Sequence, residues 1–193
     1  KMDLSLWPAA KAQTSADINI ESTERINEAL SSNKAFILDD HVAEVVARLV
    51  KPTSAPAGSK GTVDIVVDNA GYELVSDMVL GYCLLKAGVC DKVRFHTKGH
   101  PTFVSDATTK DCFETIGFLC DAPNEATASL AAEMKECAEA GAFEFVEDLF
   151  WCQPTAMWDM PDHIQDRLEG SLTTFVKGDA NYRRLLGERQ WPL

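Results

Sequence analysis

The sequence predicts an α/β fold in which helices pack on a mainly parallel β-sheet. After residue 61, short β-branched and apolar runs alternate with longer helical patterns in the order strand, helix, strand, helix. The 193 residues have one composition throughout, and their 46% hydrophobic and 25% charged residues are typical of a globular domain. We therefore expect a single α/β core over residues 1–193.

Before residue 61 the pattern is mainly helical. Residues 22–32 and 41–49 carry apolar residues at helical spacing, and a short apolar stretch at 35–38 lies between them. Asp39 or Asp40 is a candidate N-cap of the second helix. Residues 52–61 are rich in Pro, Ser and Gly, which predicts a surface loop.

The elements after this loop follow from local patterns. The run at 62–67 is β-branched, and a later helix is capped by Asn124 and stopped by Gly141. The predicted strands are 62–67, 92–96, 142–146 and 171–176. The predicted helices are 71–86, 108–119, 124–140 and one that begins near 179.

The charge balance restricts the class of partner. Lys and Arg number 18 against 30 Asp and Glu, a formal net charge of -12, which argues against binding to nucleic acid or to an anionic membrane. The longest mainly apolar stretch, 78–85, is too short to span a bilayer, and no secretory signal pattern opens the chain. A small phosphate ligand is compatible with this negative net charge if a metal supplies local positive charge.

Six cysteines lie at 83, 90, 112, 120, 137 and 152, and no two have Cys-x-x-Cys spacing. Without a Cys-x-x-Cys pair, the sequence supports neither a zinc ribbon nor a thioredoxin-like pair. We expect reduced thiols, mostly buried, which favour a cytoplasmic protein.

Ligands of open α/β sheets bind at the carboxyl ends of the strands, and three predicted strand ends are rich in polar residues. The first, 67–73, places Asp68 and Asn69 after a buried strand, and their oxygen atoms suit Mg²⁺ or Mn²⁺. The alternative is that they cap the following helix. Glu73 and Asp77 share one face of that helix, and a buried pair of acids needs a partner.

The second strand end, 96–106, offers Asp106 as a second carboxylate and Lys98 as a phosphate contact. His96 and His100 suggest zinc, but histidines that are hydrogen-bonded or at the surface are the favoured interpretation. The third end, 177–184, places Lys177 and Gly178 before a helix whose first amides favour phosphate, with an arginine as a further donor. Oxygen ligands and phosphate donors on separate strands are typical of a phosphoryl-transfer site.

Three motifs and the opening residues 2–6 resemble one family. Residues 68–77 (DNAGYELVSD), 98–106 (KGHPTFVSD) and 177–191 (KGDANYRRLLGERQW) are similar to the metal-dependent damage-control phosphatases, first catalogued as domain of unknown function 89. The match lies in the branch that groups sugar-phosphate phosphatases with acidic residue methyltransferase. The resemblance implies a Rossmann-like, three-layer α/β/α fold. It also implies hydrolysis of sugar phosphomonoesters such as fructose 1-phosphate and fructose 6-phosphate, in the cytoplasm and also the nucleus.

The resemblance implies one divalent cation, commonly Mn²⁺, Co²⁺ or Ni²⁺, with Mg²⁺ as a further candidate. Its ligands carry over to Asp68, Asn69 and Asp106, and catalytic roles to Asp68, Glu73 and Asp106. Substrate contacts carry over to Asp68, Asn69, Glu73, Asp106, Asp179, Ala180, Asn181, Tyr182 and Arg183. The attacking group is either a cation-bound water, with Asp106 or Glu73 as base, or Asp68 itself, which would form an aspartyl phosphate.

Two other functions are alternatives. Methyl transfer from S-adenosylmethionine to protein glutamates would need a Gly-rich turn, whereas the turn after the first strand has Gly71 and no G-x-G pattern. A non-catalytic sugar-phosphate-binding module is the other. Family members also have an N-terminal helical region and a downstream Arg-Thr-x-Lys motif that this sequence lacks, so we expect a core fragment with reduced turnover. The sequence names no protein partner.

Overall fold

The computed structural model describes residues 39–50 and 60–192. The predicted helix at 22–32, the apolar stretch at 35–38 and most of the loop at 52–61 lie outside these ranges. Six described α-helices are α1 (Val42–Val50), α2 (Tyr72–Lys86), α3 (Thr109–Cys120), α4 (Glu125–Glu139), α5 (Asp162–Glu169) and α6 (Asp179–Leu186). Four strands are β1 (Thr62–Val66), β2 (Lys92–Lys98), β3 (Phe143–Asp148) and β4 (Thr173–Val176).

The chain divides into two compact units, 1–45 and 46–193. In the first, the described residues 39–45 include Asp40, whose Oδ1 accepts a hydrogen bond of 3.1 Å from the Val42 amide. The residue that directly precedes α1 is His41, whose carbonyl accepts the Val45 amide at 3.0 Å, so the N-cap position is one residue after the predicted Asp40.

In the second unit, the four strands form one parallel sheet in the order β3-β2-β1-β4. Val66, the last residue of β1, is level with His96 of β2 and with Val176 of β4. Because all strands run in the same direction, their carboxyl ends lie along one edge, where the three polar strand ends come together.

Helical elements cover both faces of the sheet, which confirms the three-layer α/β fold. On one face, Val63 and Ile65 of β1 share a core with residues of α2, α3 and α4. On the other face, Val66 packs with Ile164 of α5 and with the 3₁₀ turn Leu149–Cys152. The alternation of side chains along β1 therefore supplies both cores.

Most predicted elements after residue 61 are confirmed, with ends that coincide or shift by one or two residues. Asn124 caps α4, and its Oδ1 accepts a bond of 3.0 Å from the Thr127 amide. Helix α5 was not predicted, because Ile164 is the only buried residue among its eight and its apolar pattern is too short to indicate a helix.

All six cysteines are free thiols, as predicted, but only Cys90 and Cys112 are buried, so the expectation that most of them are buried is wrong. Burial raises the pKa of Cys90 to about 11 and that of Cys112 to about 12, whereas Cys83 is exposed. Within residues 39–50 and 60–192, no helix has the length and apolar character needed to cross a membrane.

Candidate active site

The site begins where the chain leaves β1 and meets the loop that follows β2. The Ala107 amide donates to the Asp68 carbonyl at 2.8 Å, and the Ala70 amide donates to the Ser105 carbonyl at 2.7 Å. Asn69 and Asp106 form an isolated antiparallel bridge between these bonds. The backbone therefore places the two predicted carboxylates, Asp68 and Asp106, next to each other.

Lys98 lies between these two carboxylates. Its Nζ is 2.9 Å from Asp68 Oδ1 and also donates to Asp106 Oδ1. The Lys98 side chain is 1% exposed, and its ammonium group, predicted as a phosphate contact, lies in a buried ion pair. Asp106 is also held by the Phe103 amide, which donates to its second oxygen. The result is a negatively charged pair of acids with one cation already inside it.

Asn69 connects this pair to Glu73. Its Nδ2 donates to Asp68 Oδ2 at 3.0 Å and to Glu73 Oε2 at 3.1 Å, while its Oδ1 accepts from Ser105 Oγ at 2.8 Å. The capping alternative is wrong, because Gly71 is the N-cap of α2 and no side chain caps it. Ser105 was not identified from the sequence as a site residue, although it lies beside Asp106.

Lys177, at the end of β4, is the partner that the two acids of α2 need. Its Nζ is 2.6 Å from Asp77 Oδ1 and 3.2 Å from Glu73 Oε1. Burial raises the pKa of the Asp77 carboxyl despite this ion pair, and Asp77 Oδ2 has no hydrogen-bond partner. Glu73 thus joins a second ion-pair cluster to the first through Asn69.

The charges of the site fit a divalent cation. The four carboxylates of Asp68, Glu73, Asp77 and Asp106 face the two ammonium groups, so two formal negative charges remain. No group of three or more His, Cys, Asp or Glu in the described part of the chain is arranged for a metal. The predicted set differs, since it pairs two carboxylates with the Asn69 amide, and all three are hard oxygen donors.

Gly178 brings the start of α6 to this cluster. It is the N-cap of α6 with φ 85°, a conformation that favours glycine. The first backbone N–H groups of a helix lack intrahelical acceptors and attract anions. The segment 179–183 therefore begins close to the Asp68 carboxylate, as the phosphate-site interpretation requires.

The predicted substrate residues of α6 divide into two groups. Asp179, Tyr182 and Arg183 are exposed, and Arg183 Nε pairs with Asp179 at 2.8 Å and with Glu188 at 3.4 Å. Asn181 is buried and donates to the carbonyls of Val67 and Lys177, so its side chain positions the backbone of two strand ends. The exposed group is the one that can meet a ligand.

A cavity of about 380 Å³ lies beside α6. Phe103, Trp151, Ala180, Arg183 and Arg184 are among its lining residues. Arg184 was not predicted as a site residue. Its buried guanidinium donates to the Asn181 side chain and to the carbonyls of Trp151 and Gln153. The Arg-Arg pair was the available signal, but adjacent arginines do not reveal which one is buried.

The two histidines of the second strand end are hydrogen-bonded or exposed, as the favoured interpretation predicts. His96 is buried, and its Nε2 lies 2.6 Å from Asp64 Oδ1 on the inner part of β1. His100 is exposed. The geometry thus offers no support for a zinc site at these two positions.

Comparison with known proteins gives one consistent result. A family model described as the damage-control phosphatase ARMT1-like domain matches residues 2–193. Three proteins named Damage-control phosphatase ARMT1 are similar: 32% identity over 197 residues in Danio rerio, 33% over 198 in Xenopus tropicalis and 29% over 198 in Homo sapiens. Each alignment covers 98% of this chain and 44% of the relative, so the chain spans less than half the length of the curated relatives it matches.

Proposed function

Because the chain belongs to the damage-control phosphatase ARMT1-like domain family, we propose that it hydrolyses sugar phosphomonoesters with the help of a divalent cation. One observation carries the proposal: Asp68 and Asp106, on neighbouring strand ends, converge on a positive charge beside the start of α6. Asp68, Asn69 and Asp106 would hold the cation, with Mn²⁺, Co²⁺ and Ni²⁺ as the leading candidates. When bound, it would neutralise the phosphate oxygens, which the net negative site would otherwise repel.

Residues of β4 and α6 supply the other phosphate donors. The Lys177 side chain is 31% exposed, so its ammonium group faces the acids of α2 and still reaches solvent. Arg183 and the first amides of α6 lie further along the same segment. Ammonium and guanidinium groups and free helix N–H groups are the donors that phosphate prefers, so these groups are the proposed phosphate contacts.

The exposures of the three proposed catalytic acids support different roles. The side chains of Asp68 and Glu73 are 13% and 34% exposed, whereas that of Asp106 is 2% exposed. The attacking group that we propose is therefore either Asp68 or a water deprotonated by Glu73. Asp106 is too little exposed to act as the base, and its role is to hold the cation. The cavity beside α6 is large enough for a hexose, and Ala180 and Arg183 line it, whereas the proposed cation ligands do not. Fructose 1-phosphate and fructose 6-phosphate are the substrates that we propose for the assay.

The test is inorganic phosphate release from each fructose phosphate by this chain, with Mn²⁺, with Ni²⁺ and after chelation. We expect metal-dependent release that Asp68→Ala abolishes, while Asp166→Ala, at an exposed position of α5, leaves it unchanged. Asp68→Asn distinguishes the two attacking groups, since a variant with bound metal and full activity would exclude an aspartyl phosphate.

Calorimetry on the same samples separates binding from catalysis. Bound Mn²⁺ without phosphate release from either sugar would contradict the phosphatase proposal. Transfer of labelled methyl groups from S-adenosylmethionine to protein glutamates would then be the next assay.

A further inference from the structure

Lys98 is a buried cation within the proposed metal site. Its ammonium group contacts Asp68 Oδ1 at 2.9 Å and Asp106 Oδ1 more closely. These two carboxylates belong to the set that would hold the divalent ion. The ammonium group and the ion therefore share acceptor atoms, and both cannot make full contact with them at once.

Each carboxylate has a hydrogen bond besides those from Lys98. Asp68 Oδ2 accepts from Asn69 Nδ2 at 3.0 Å, and the second carboxylate oxygen of Asp106 accepts from the Phe103 amide. Two acids that are this close and this little exposed repel each other and lose hydration, so a positive charge between them is strongly favoured. Lys98 provides that charge from the end of β2 when no metal is bound.

Lys177 does not share this position, since its ammonium group pairs with Glu73 and Asp77 in the second cluster. We propose that Lys98 is an internal counter-ion that competes with the divalent cation for Asp68 and Asp106. It stabilises the metal-free site and lowers its affinity for metal. This inference rests on the metal dependence proposed above.

The experiment measures Mn²⁺ binding by calorimetry to the metal-free chain, wild type and three variants. Lys98→Gln removes the positive charge and keeps a hydrogen-bonding group, whereas Lys98→Arg keeps the charge. Lys110→Gln, at an exposed position of α3, is the matched control. We expect Lys98→Gln to bind Mn²⁺ about tenfold or more tightly than wild type, because a like charge a few ångström from the ion is removed. Lys98→Arg and Lys110→Gln should show no such gain.

Folding of the Lys98→Gln variant is followed by circular dichroism with and without Mn²⁺. A variant that folds only with Mn²⁺ would support the proposal, since the ion then replaces the lost ammonium group. A variant that stays unfolded in both conditions, or that binds Mn²⁺ no more tightly than wild type, would overturn it. If neither wild type nor Lys98→Gln binds the ion, the proposed metal dependence itself fails, and phosphate release under chelation shows whether the phosphatase proposal falls with it.

Discussion

Gly178 packs directly against the side chain of Asp68. A Cβ atom at position 178 would lie 2.5 Å from the Asp68 Cβ and would overlap the carboxylate. The contact joins the end of β4 to the end of β1, and it places the start of α6 against a proposed metal ligand. No side chain larger than hydrogen fits between them.

Gly178→Ala should damage the site and the fold together. The new methyl group must displace Asp68. In addition, the backbone at position 178 has a φ of 85°, which lowers the free energy of unfolding by about 1–3 kcal/mol when the residue carries a side chain. We expect phosphate release to fall about tenfold or more, since a small displacement of a reacting group has effects of this size. Gly117→Ala in α3, where the added Cβ meets open space, is the control and should stabilise the protein by up to about 1 kcal/mol. Full activity in Gly178→Ala would contradict this account of the site.

Ser105→Ala should weaken metal binding without unfolding the protein. Ser105 Oγ donates to Asn69 Oδ1 at 2.8 Å, and a hydroxyl can equally accept from the amide nitrogen if the Asn69 side chain turns its oxygen toward a cation. Loss of such an outer partner lowers metal affinity by about tenfold or more. Calorimetric titration with Mn²⁺ measures the change. Ser76→Ala, which removes a hydroxyl on the exposed side of α2, should have no effect, and equal affinities of the two variants would refute the role of Ser105.

Asp77→Asn should change how stability depends on pH. Burial raises the pKa of the folded Asp77 carboxyl above its ordinary value of 3.8, so the folded state binds this proton more strongly than the unfolded state does. The stability contributed by that proton is present below the unfolded pKa and is lost as pH rises through the folded pKa. Asparagine resembles the protonated acid at every pH. The variant should therefore match wild type near about pH 4 and become the more stable protein toward about pH 7.

Urea unfolding at several pH values tests this expectation. Asp166→Asn, at an exposed position of α5, is the control and should follow the wild-type curve. An Asp77→Asn variant that becomes less stable than wild type as pH rises would show that the Lys177 ion pair outweighs burial.

Substitution of Arg183 should weaken substrate binding, whereas substitution of Arg184 should lower the stability of the protein. Arg184 is buried and donates to the Trp151 and Gln153 carbonyls at 3.2 and 2.7 Å. Arg184→Met should lower the free energy of unfolding by about 2–4 kcal/mol, because these acceptors lose their donor. Arg183→Met, at an exposed position, should leave stability unchanged and raise KM for the sugar phosphate. Thermal unfolding and steady-state kinetics on both variants measure these effects, and a reversed pattern would contradict the assignment of the two arginines.

Local patterns in the sequence were sufficient for the fold class and for most elements. The β-branched run of β1 and the Asn124 cap of α4 act within a few residues, so the chain carries their signals locally. The same patterns placed Asp68 and Asp106 at strand ends. Because the carboxyl ends of parallel strands meet at one edge, proximity of these acids followed from the fold class alone.

The partners of those acids depended on the tertiary structure. Lys98 and Asp68 are 30 residues apart, Ser105 and Asn69 are 36 apart, and Lys177 and Asp77 are 100 apart. Strand order β3-β2-β1-β4 and the register at each pair decide which of these side chains meet. The sequence by itself determined that acids and cations gather at one edge of the sheet. Only the folded chain decided that Lys98 is enclosed while Lys177 stays partly open, because burial is set by packing between residues distant along the chain.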